Sequence, residues 1–477
     1  MSIRANLMSG RARALSVVCW VAWAWLGALA HAESQPATEL RTKIDATVKK
    51  ALAASGAPSA SVAVVKDAQI VFANAYGSAR IEPRLAAGVD MRYCIGSVSK
   101  QFTATAILLL AEQGALSLDD KVGRFLPHLS RANEVTIRML LSHTSGYRDY
   151  WPQDYVMPTM LVPTPPTVIL DRWARAPLDF EPGTKWQYSN TNFVIAGLII
   201  EKASGMPYMQ FLRTRVLEPL GLKNVIDLDQ GALAPTDPTG YLRYALGPLR
   251  PAPKMGSGWL FAMGQLAMTA SDLARWNLSM IEHRLLKPAS YAALTTETLL
   301  KNGAATHYGL GISVSLDEDR RVLRHAGEIS GFTAASMVFP DDRAAIVVLV
   351  NQDATDLAGD LAMQLKPLLF DVDDASATKA RERDRKIFAG LQRGVIERGL
   401  FTAAANSYFS AQALKDFATS LAPLGTPQEF KETEHRVRGG MVQRVYSVKM
   451  PKRSLRVWSR ELKDGKLEEF LVAGSGG

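Results

Sequence analysis

Late in the chain the hydrophobic pattern changes period. Residues 309–316, 321–326, 334–339 and 344–351 read as four consecutive short strands, with turns such as Asp341-Asp342 between them. Near the other end, 60–65 and 69–75 read as two more strands joined by a tight turn around Asp67. Between these two sets the pattern is mostly helical. Helices are predicted over 38–57, closed by Gly56, over 97–113, closed by Gly114, and over 193–203, closed by Gly205. A fourth covers 270–281, with Thr269 or Ser271 as N-cap, and 357–370 returns to a helix after the last strand. Residues 135–141 form a further apolar segment, while 147–184 and 228–258 are rich in proline or glycine and read as loops. An early hairpin, a helical middle and late strands suit an α+β fold: an antiparallel sheet flanked by helices, with a helical subdomain as a second layer.

At 477 residues the chain is too long for one small domain, and two or three units are expected. The main one is placed at 37–372. Residues 373–399 are read as linker and helix, with the charged stretch 378–387 as a linker running into the helix. Residues 400–477 are read as a small α+β unit. It has short helices over 400–422 and strands over 429–436, 442–450, 455–460 and 467–472, with Asp464-Gly465 as the last turn. With 47% hydrophobic and 21% charged residues, a disordered, collagen-like or polytopic membrane protein is excluded.

Residues 1–32 are read as a signal peptide. Arg4, Arg11 and Arg13 precede an apolar run, and Ala30-His31-Ala32 predicts cleavage before Glu33. The run is about 15 residues, short of the ~20 needed to span a bilayer. An uncleaved anchor, with Trp20, Trp23 and Trp25 at the interface, is the alternative. The expected location is the periplasm or outside the cell. The mature chain keeps only Cys94, read as core packing, which excludes an internal disulfide or a cysteine-built zinc site. The seven histidines include no H-x-x-x-H pair, and no metal or cofactor is expected.

The formal charge is +9, but it is unevenly spread. From Ser376 onward there are 19 Lys/Arg against 11 Asp/Glu, so the basic character belongs to the C-terminal segment. No nucleic-acid motif accompanies it. It is either a solvated face or a contact for an anionic envelope polymer or a membrane surface.

Three short segments carry chemistry. In Cys94-Ile95-Gly96-Ser97-Val98-Ser99-Lys100, Ser97 and Lys100 are three apart at the start of a predicted helix and share a face. The helix N-terminus favours developing negative charge, and a desolvated lysine beside the hydroxyl can take its proton. Alone, the pair also fits an N-cap serine with a surface lysine. Tyr188-Ser189-Asn190 puts a phenol and an amide two apart, where both can face one cleft. They equally fit a buried tyrosine and a turn asparagine. His325-Ala326-Gly327 lies on a predicted strand, where glycine allows close approach of a substrate and the backbone offers N–H donors to an oxyanion. A lone histidine is also compatible with a structural role. Tyr147, Tyr150, Trp151, Tyr155 and Trp259 are candidate apolar walls, or pack their loops onto the body.

In this order and spacing the three segments resemble the serine β-lactamase and penicillin-binding-protein superfamily, whose motifs are S-x-x-K, Y-x-N and a third strand motif. The resemblance covers roughly residues 40–370. Its flanks, Leu141-Ser142-His143-Thr144-Ser145-Gly146, Glu181-Pro182-Gly183 and Thr269-Ala270-Ser271-Asp272-Leu273, look most like the class C β-lactamase-related group, which includes D-aminopeptidases, D,D-carboxypeptidases and esterases. The resemblance implies a β-lactamase/transpeptidase-like fold. Ser97 would be the acylated nucleophile, Lys100 and Tyr188 would share general base and acid work, and Asn190 would orient Lys100 or the substrate amide. The backbone N–H groups of Ser97 and Glu328, just after Gly327, would form the oxyanion hole. His325 stands where many β-lactamases have lysine, and a largely neutral side chain there argues against efficient β-lactam turnover.

The expectation is therefore an exported serine hydrolase acting on a D-amino-acid peptide or small ester through an acyl-enzyme. A true β-lactamase and a non-turnover penicillin- or wall-peptide-binding sensor are the rivals. The C-terminal unit is similar to cystatin-like or nuclear-transport-factor-like domains appended to such hydrolases. Packing on the pocket rim, dimerisation and polymer binding are its three candidate uses.

Overall fold

The computed structural model describes residues 35–474 except 154, 318–319, 371–373 and 439. The signal peptide expected at 1–32 lies outside the described residues.

Helix α1 (Gln35–Ser55) ends at Gly56, whose φ of 68° suits a residue without a Cβ. Strands β1 (Ser59–Lys66) and β2 (Gln69–Arg80) follow as a hairpin. Asp67 and Ala68 both have positive φ, as a two-residue turn matching the twist of its strands requires. A two-residue strand β3 (Leu85–Ala86) extends this edge. The four late strands are β4 (Ser313–Asp317), β5 (Arg320–Ile329), β6 (Phe332–Phe339) and β7 (Ala344–Val350). The first of them starts later than its sequence pattern indicated. All seven form one sheet in the order β3-β2-β1-β7-β6-β5-β4, antiparallel at every join.

The join between early and late strands explains why β1 is buried along nearly its whole length and β7 is apolar throughout. Both are central, and successive side chains alternate between two cores. Val62, Val64, Ile346 and Val348 pack into the core shared with α1 and a late helix, α5 (Leu357–Phe370). Ala63, Val65, Val347 and Leu349 pack into the larger core that holds the helical layer. Each fully buried aliphatic side chain contributes about 1.5–3 kcal/mol relative to exposure, so this seam binds the two ends of the main unit strongly.

In the helical layer, α2 (Lys100–Glu112) continues the 3₁₀ turn Gly96–Ser99 and packs on α3 (Asn190–Ser204). Helix α4 (Ala270–Ile281) lies against β1 and β7, and Thr269 is its N-cap, accepting the Asp272 N–H at 3.0 Å. The loop-like stretch 147–184 contains a helix that its prolines obscured, Pro166–Trp173, which begins with proline at its first position.

Residues 378–387 do not form a linker: they lie inside α6 (Asp374–Leu391). Two short helices, α7 (Ala403–Tyr408) and α8 (Ala411–Leu421), precede a four-stranded antiparallel meander. Its strands are β8 (Glu429–Arg438), β9 (Met441–Lys449), β10 (Ser454–Glu461) and β11 (Leu467–Gly474). Ile387, Phe388 and Leu391 of α6 pack with Tyr446, Val448, Val457 and Phe470 of the sheet. A polar anchor accompanies them: buried Asp384 accepts the Ser459 hydroxyl at 2.5 Å and pairs with Arg383 at 2.9 Å.

Candidate active site

Ser97 sits in the tight turn that leads into α2, directly against β5. The closeness depends on two glycines. Gly96 has a φ of 49°, and a Cβ there would fall 2.8 Å from the Glu328 nitrogen. A Cβ on Gly327 would lie 1.9 Å from the Ile95 carbonyl oxygen and 3.3 Å from the Ser97 nitrogen. With no side chain at either position, the backbones carrying the Ser97 and Glu328 N–H groups meet at one corner.

Lys100, one turn into the helix, is fully buried. Its Nζ donates to Ser97 Oγ at 2.9 Å, Asn190 Oδ1 at 2.8 Å and the Met263 carbonyl at 3.0 Å. Burial disfavours the ammonium and pulls its pKa down to about 7, while the nearby Asp149 carboxylate pulls the other way. The Tyr188 ring centroid lies 4.9 Å from Nζ. Burial raises the pKa of its phenol, against a smaller opposing pull from nearby Ser97.

Three chain segments distant in sequence thus converge on Lys100: the α2 turn, 188–190 at the start of α3, and the loop bearing Met263. That last loop is tied from beneath by two acids. Asp227 accepts Gln265 Nε2 at 2.6 Å, and the buried Asp229 carboxylate faces the backbone N–H groups of Gly258 and Leu260, which oppose the rise of its pKa.

Sequence reasoning missed the residues behind these. Buried Asp149 accepts Asn190's backbone N–H at 3.0 Å and its Nδ2 at 3.2 Å. Its signal was its place three residues beyond the Leu141–Gly146 flank. His143, inside that flank, is fully buried with a φ of 59°. Its Nδ1 accepts the Ser189 N–H at 3.1 Å, which makes it the Nε2–H tautomer, and its ring lies 4.2 Å from that of Tyr188. Burial, then Lys100 and His325, hold His143 well below the usual histidine range. Tyr308, the third, is hydrogen-bonded with His325 Nε2 at 2.9 Å. His325 Nδ1 donates to the Ala326 carbonyl at 2.6 Å. Burial, then Lys100, push His325 down to about 4 against the pull of that carbonyl, so it is neutral at pH 7.

All seven residues singled out for the site, Ser97, Lys100, Tyr188, Asn190, His325, Gly327 and Glu328, lie in this one region, and all but Lys100 line a cavity of about 920 Å³. Trp151 and Tyr155 form part of its wall, as expected, together with Trp186 and Tyr308. Tyr147, Tyr150 and Trp259 do not. They are buried in the core, where Tyr147 donates to the Ser130 carbonyl at 2.9 Å and Tyr150 to that of Trp259. Cys94 is buried, in keeping with core packing. Among the described residues lining the cavity none is lysine or arginine, whereas Asp149, Glu328, Asp353, Asp356 and Asp360 contribute carboxylates. No group of three or more metal-ligating side chains occurs among the described residues.

Fold and site together define a serine hydrolase of the β-lactamase type. The chain belongs to the beta-lactamase family, whose profile matches residues 44–367. It is 27% identical over 326 residues to penicillin-binding protein 4* of Bacillus subtilis, a match covering 61% of this chain and 68% of that protein. It is 29% identical over 323 residues to a D-aminopeptidase of Brucella anthropi, covering 66% of this chain and 60% of that one. The chain therefore spans about three fifths to two thirds of these relatives. Among solved structures it is similar to a D-stereospecific amidohydrolase from a Streptomyces species, with a TM-score of 0.59 at 26% identity, covering 69% of this chain and 98% of the other.

Proposed function

We propose that this protein is an exported hydrolase that cleaves an amide or ester of a D-amino-acid substrate through an acyl-enzyme on Ser97. The observation that carries the reading is the 2.9 Å contact between Lys100 Nζ and Ser97 Oγ in a buried setting. With its pKa near 7, Lys100 is substantially neutral at pH 7 to 8. As the free amine it accepts the Ser97 proton while Oγ attacks the carbonyl carbon. The backbone N–H groups of Ser97 and Glu328 receive the oxyanion. Tyr188, whose ring lies beside Lys100 Nζ, passes a proton from the lysine to the leaving amine or alcohol. A water then attacks the ester carbonyl, its proton taken by the same pair, and Ser97 is released.

The substrate class follows from the pocket's charge. Neutral His325 and a lining without lysine or arginine offer no fixed cation to a substrate carboxylate, while the carboxylates of Glu328, Asp353, Asp356 and Asp360 suit a free ammonium group. This favours a D-amino-acid amide, peptide or ester with an unblocked amine over a β-lactam. The D-aminopeptidase relative supports the same reading. The likeness to a penicillin-binding protein keeps slow β-lactam acylation without turnover as the second reading.

The test compares D-alanine p-nitroanilide, its N-acetyl derivative and a short p-nitrophenyl ester, with wild type and Ser97→Ala. We expect turnover lost by at least about a thousandfold in Ser97→Ala and the free amine preferred by about tenfold in kcat/KM. Equal rates in both proteins would sink the assignment of Ser97. A stable mass increase after penicillin, with no ester or amide turnover, would favour the second reading. The leader is tested by the N-terminal sequence of the protein recovered from the periplasm or medium, which should begin at Glu33.

A further inference from the structure

Asn190 can face its neighbours in two ways, and only one is productive. An amide side chain offers an acceptor oxygen on one side and an NH₂ donor on the other. Lys100 approaches one side at 2.8 Å, and Asp149 approaches the other at 3.2 Å. An ionised carboxylate can only accept and an ammonium can only donate. The reversed amide would set oxygen against carboxylate in a buried site, and, whenever the lysine is protonated, NH₂ against ammonium as well.

Asp149 is itself held in place. Its Oδ1 accepts the N–H groups of Trp151 at 3.1 Å and Asn190 at 3.0 Å, which leaves Oδ2 for the Asn190 amide nitrogen. With 9% exposure its carboxylate has little access to water as a substitute partner.

We propose that Asp149 is a positioning residue of this site: by holding the amide nitrogen of Asn190 it turns that residue's oxygen onto Lys100 Nζ, and so sets the lysine against Ser97. This rests on the hydrolase reading above and deepens it. Asp149 also places a negative charge near the lysine, so its removal has a signed consequence. The titratable groups around Lys100 are Asp149 and His143 from the 143–151 loop, Tyr188 from the segment before α3, and His325 from β5. Both histidines are held neutral and Tyr188 is raised, so of these four groups Lys100 is the one placed to give an activity limb near pH 7; Asp229, also near 7, is separated from it by Asp229→Asn, which should leave that limb unmoved. Losing the carboxylate favours the free amine.

The experiment measures Ser97-dependent release of p-nitrophenol from p-nitrophenyl acetate between pH 5 and 9. It uses the full mature chain in wild type, Asp149→Asn, and the exchanged pair Asp149→Asn/Asn190→Asp. In Asp149→Asn we expect a loss of about a hundredfold in kcat and an acid limb lower by about one pH unit. The exchanged pair restores complementary partners at both contacts but moves the charge next to the lysine. It should recover at least about tenfold of the lost rate at high pH, with its limb above that of wild type. A general loosening of the site would hydrate Lys100 and move the limb upward in Asp149→Asn, and that result overturns the proposal. So does a near-wild-type rate with an unmoved limb, or an exchanged pair that folds by circular dichroism but recovers nothing. Should Asp149→Asn fail to fold, the exchanged pair alone decides. If wild type and Ser97→Ala release nitrophenol equally, the hydrolase reading fails, and this proposal with it. If only the Asp149 variants behave otherwise than expected, the hydrolase reading stands and the positioning role falls.

Discussion

Tyr308 and His325 are joined at 2.9 Å through Nε2, while the same ring gives its Nδ1 proton to the adjacent Ala326 carbonyl. Both ring nitrogens are thereby committed, one as donor and one as acceptor. His325 is a neutral, oriented wall of the pocket and does not supply a charge.

Replacing Tyr308 by Phe removes the hydrogen bond that favours the neutral ring. His325 should then titrate at a higher pH than the value of about 4 set by burial. NMR of ¹³C-labelled histidine gives that pKa directly. Turnover of a neutral ester at pH 8 should stay within about threefold of wild type, because neither residue handles the reacting proton. An unchanged His325 titration would show that the pairing has no hold on the ring.

The acid limb of the wild-type profile should lie near pH 7, where Lys100 titrates. The sign is fixed by its role: the free amine is the base, so activity is full above that pH. Below it, kcat/KM should fall about tenfold per pH unit. A limb near pH 4 that vanishes in His325→Ala would put the proton on the histidine instead.

Gly327→Ala tests the corner where strand meets nucleophile. The added methyl would sit 1.9 Å from the Ile95 carbonyl, so β5 must move away from the Ser97 turn. The Glu328 N–H moves with it. A loss of at least about a hundredfold in kcat is expected in a protein that keeps its circular-dichroism spectrum. A fully active variant would remove this N–H from the oxyanion site.

Asp229, beneath the Met263 loop, is raised to about 7 by burial first and then by Asp227. Its folded pKa lies above its unfolded one, so the folded state binds more protons between about pH 4 and 7, and this group lowers stability as pH rises through that window. Asp229→Asn keeps an oxygen for Gly258 and Leu260 and removes the charge. Its melting temperature should exceed that of wild type by roughly 2–4 °C at pH 8 and match it at pH 4. A gain at both pH values would point to packing rather than charge.

The part of the site legible in the sequence is the part written in local pattern. Ser97 and Lys100 share a helix face, Tyr188 and Asn190 are two apart, and Gly327 follows His325 by two, so each pair is visible in one short window. Asp149 and Tyr308 act on Asn190 and His325 across 41 and 17 residues, and only the fold brings them together. The sheet was readable for a similar reason: β1 and β7 are apolar on both faces, and the glycines that end α1, α2 and α3 mark their boundaries. Tyr147 and Tyr150 read either as pocket walls or as packing for a loop rich in prolines; their rings fill the core, and their hydroxyls find backbone carbonyls there. The helix Pro166–Trp173 was hidden by the same prolines, although proline at a first helical position is a start signal.

The seam between β1 and β7 has a temporal meaning. Ser97 and Lys100 emerge early in synthesis, but the strand carrying Gly327 and the two strands that dock it onto β1 are the last strands of the main unit. Contacts of such long sequence separation form late in folding. A partly made chain has a serine and a lysine but no corner for an oxyanion. Activity is switched on by the closing of the sheet.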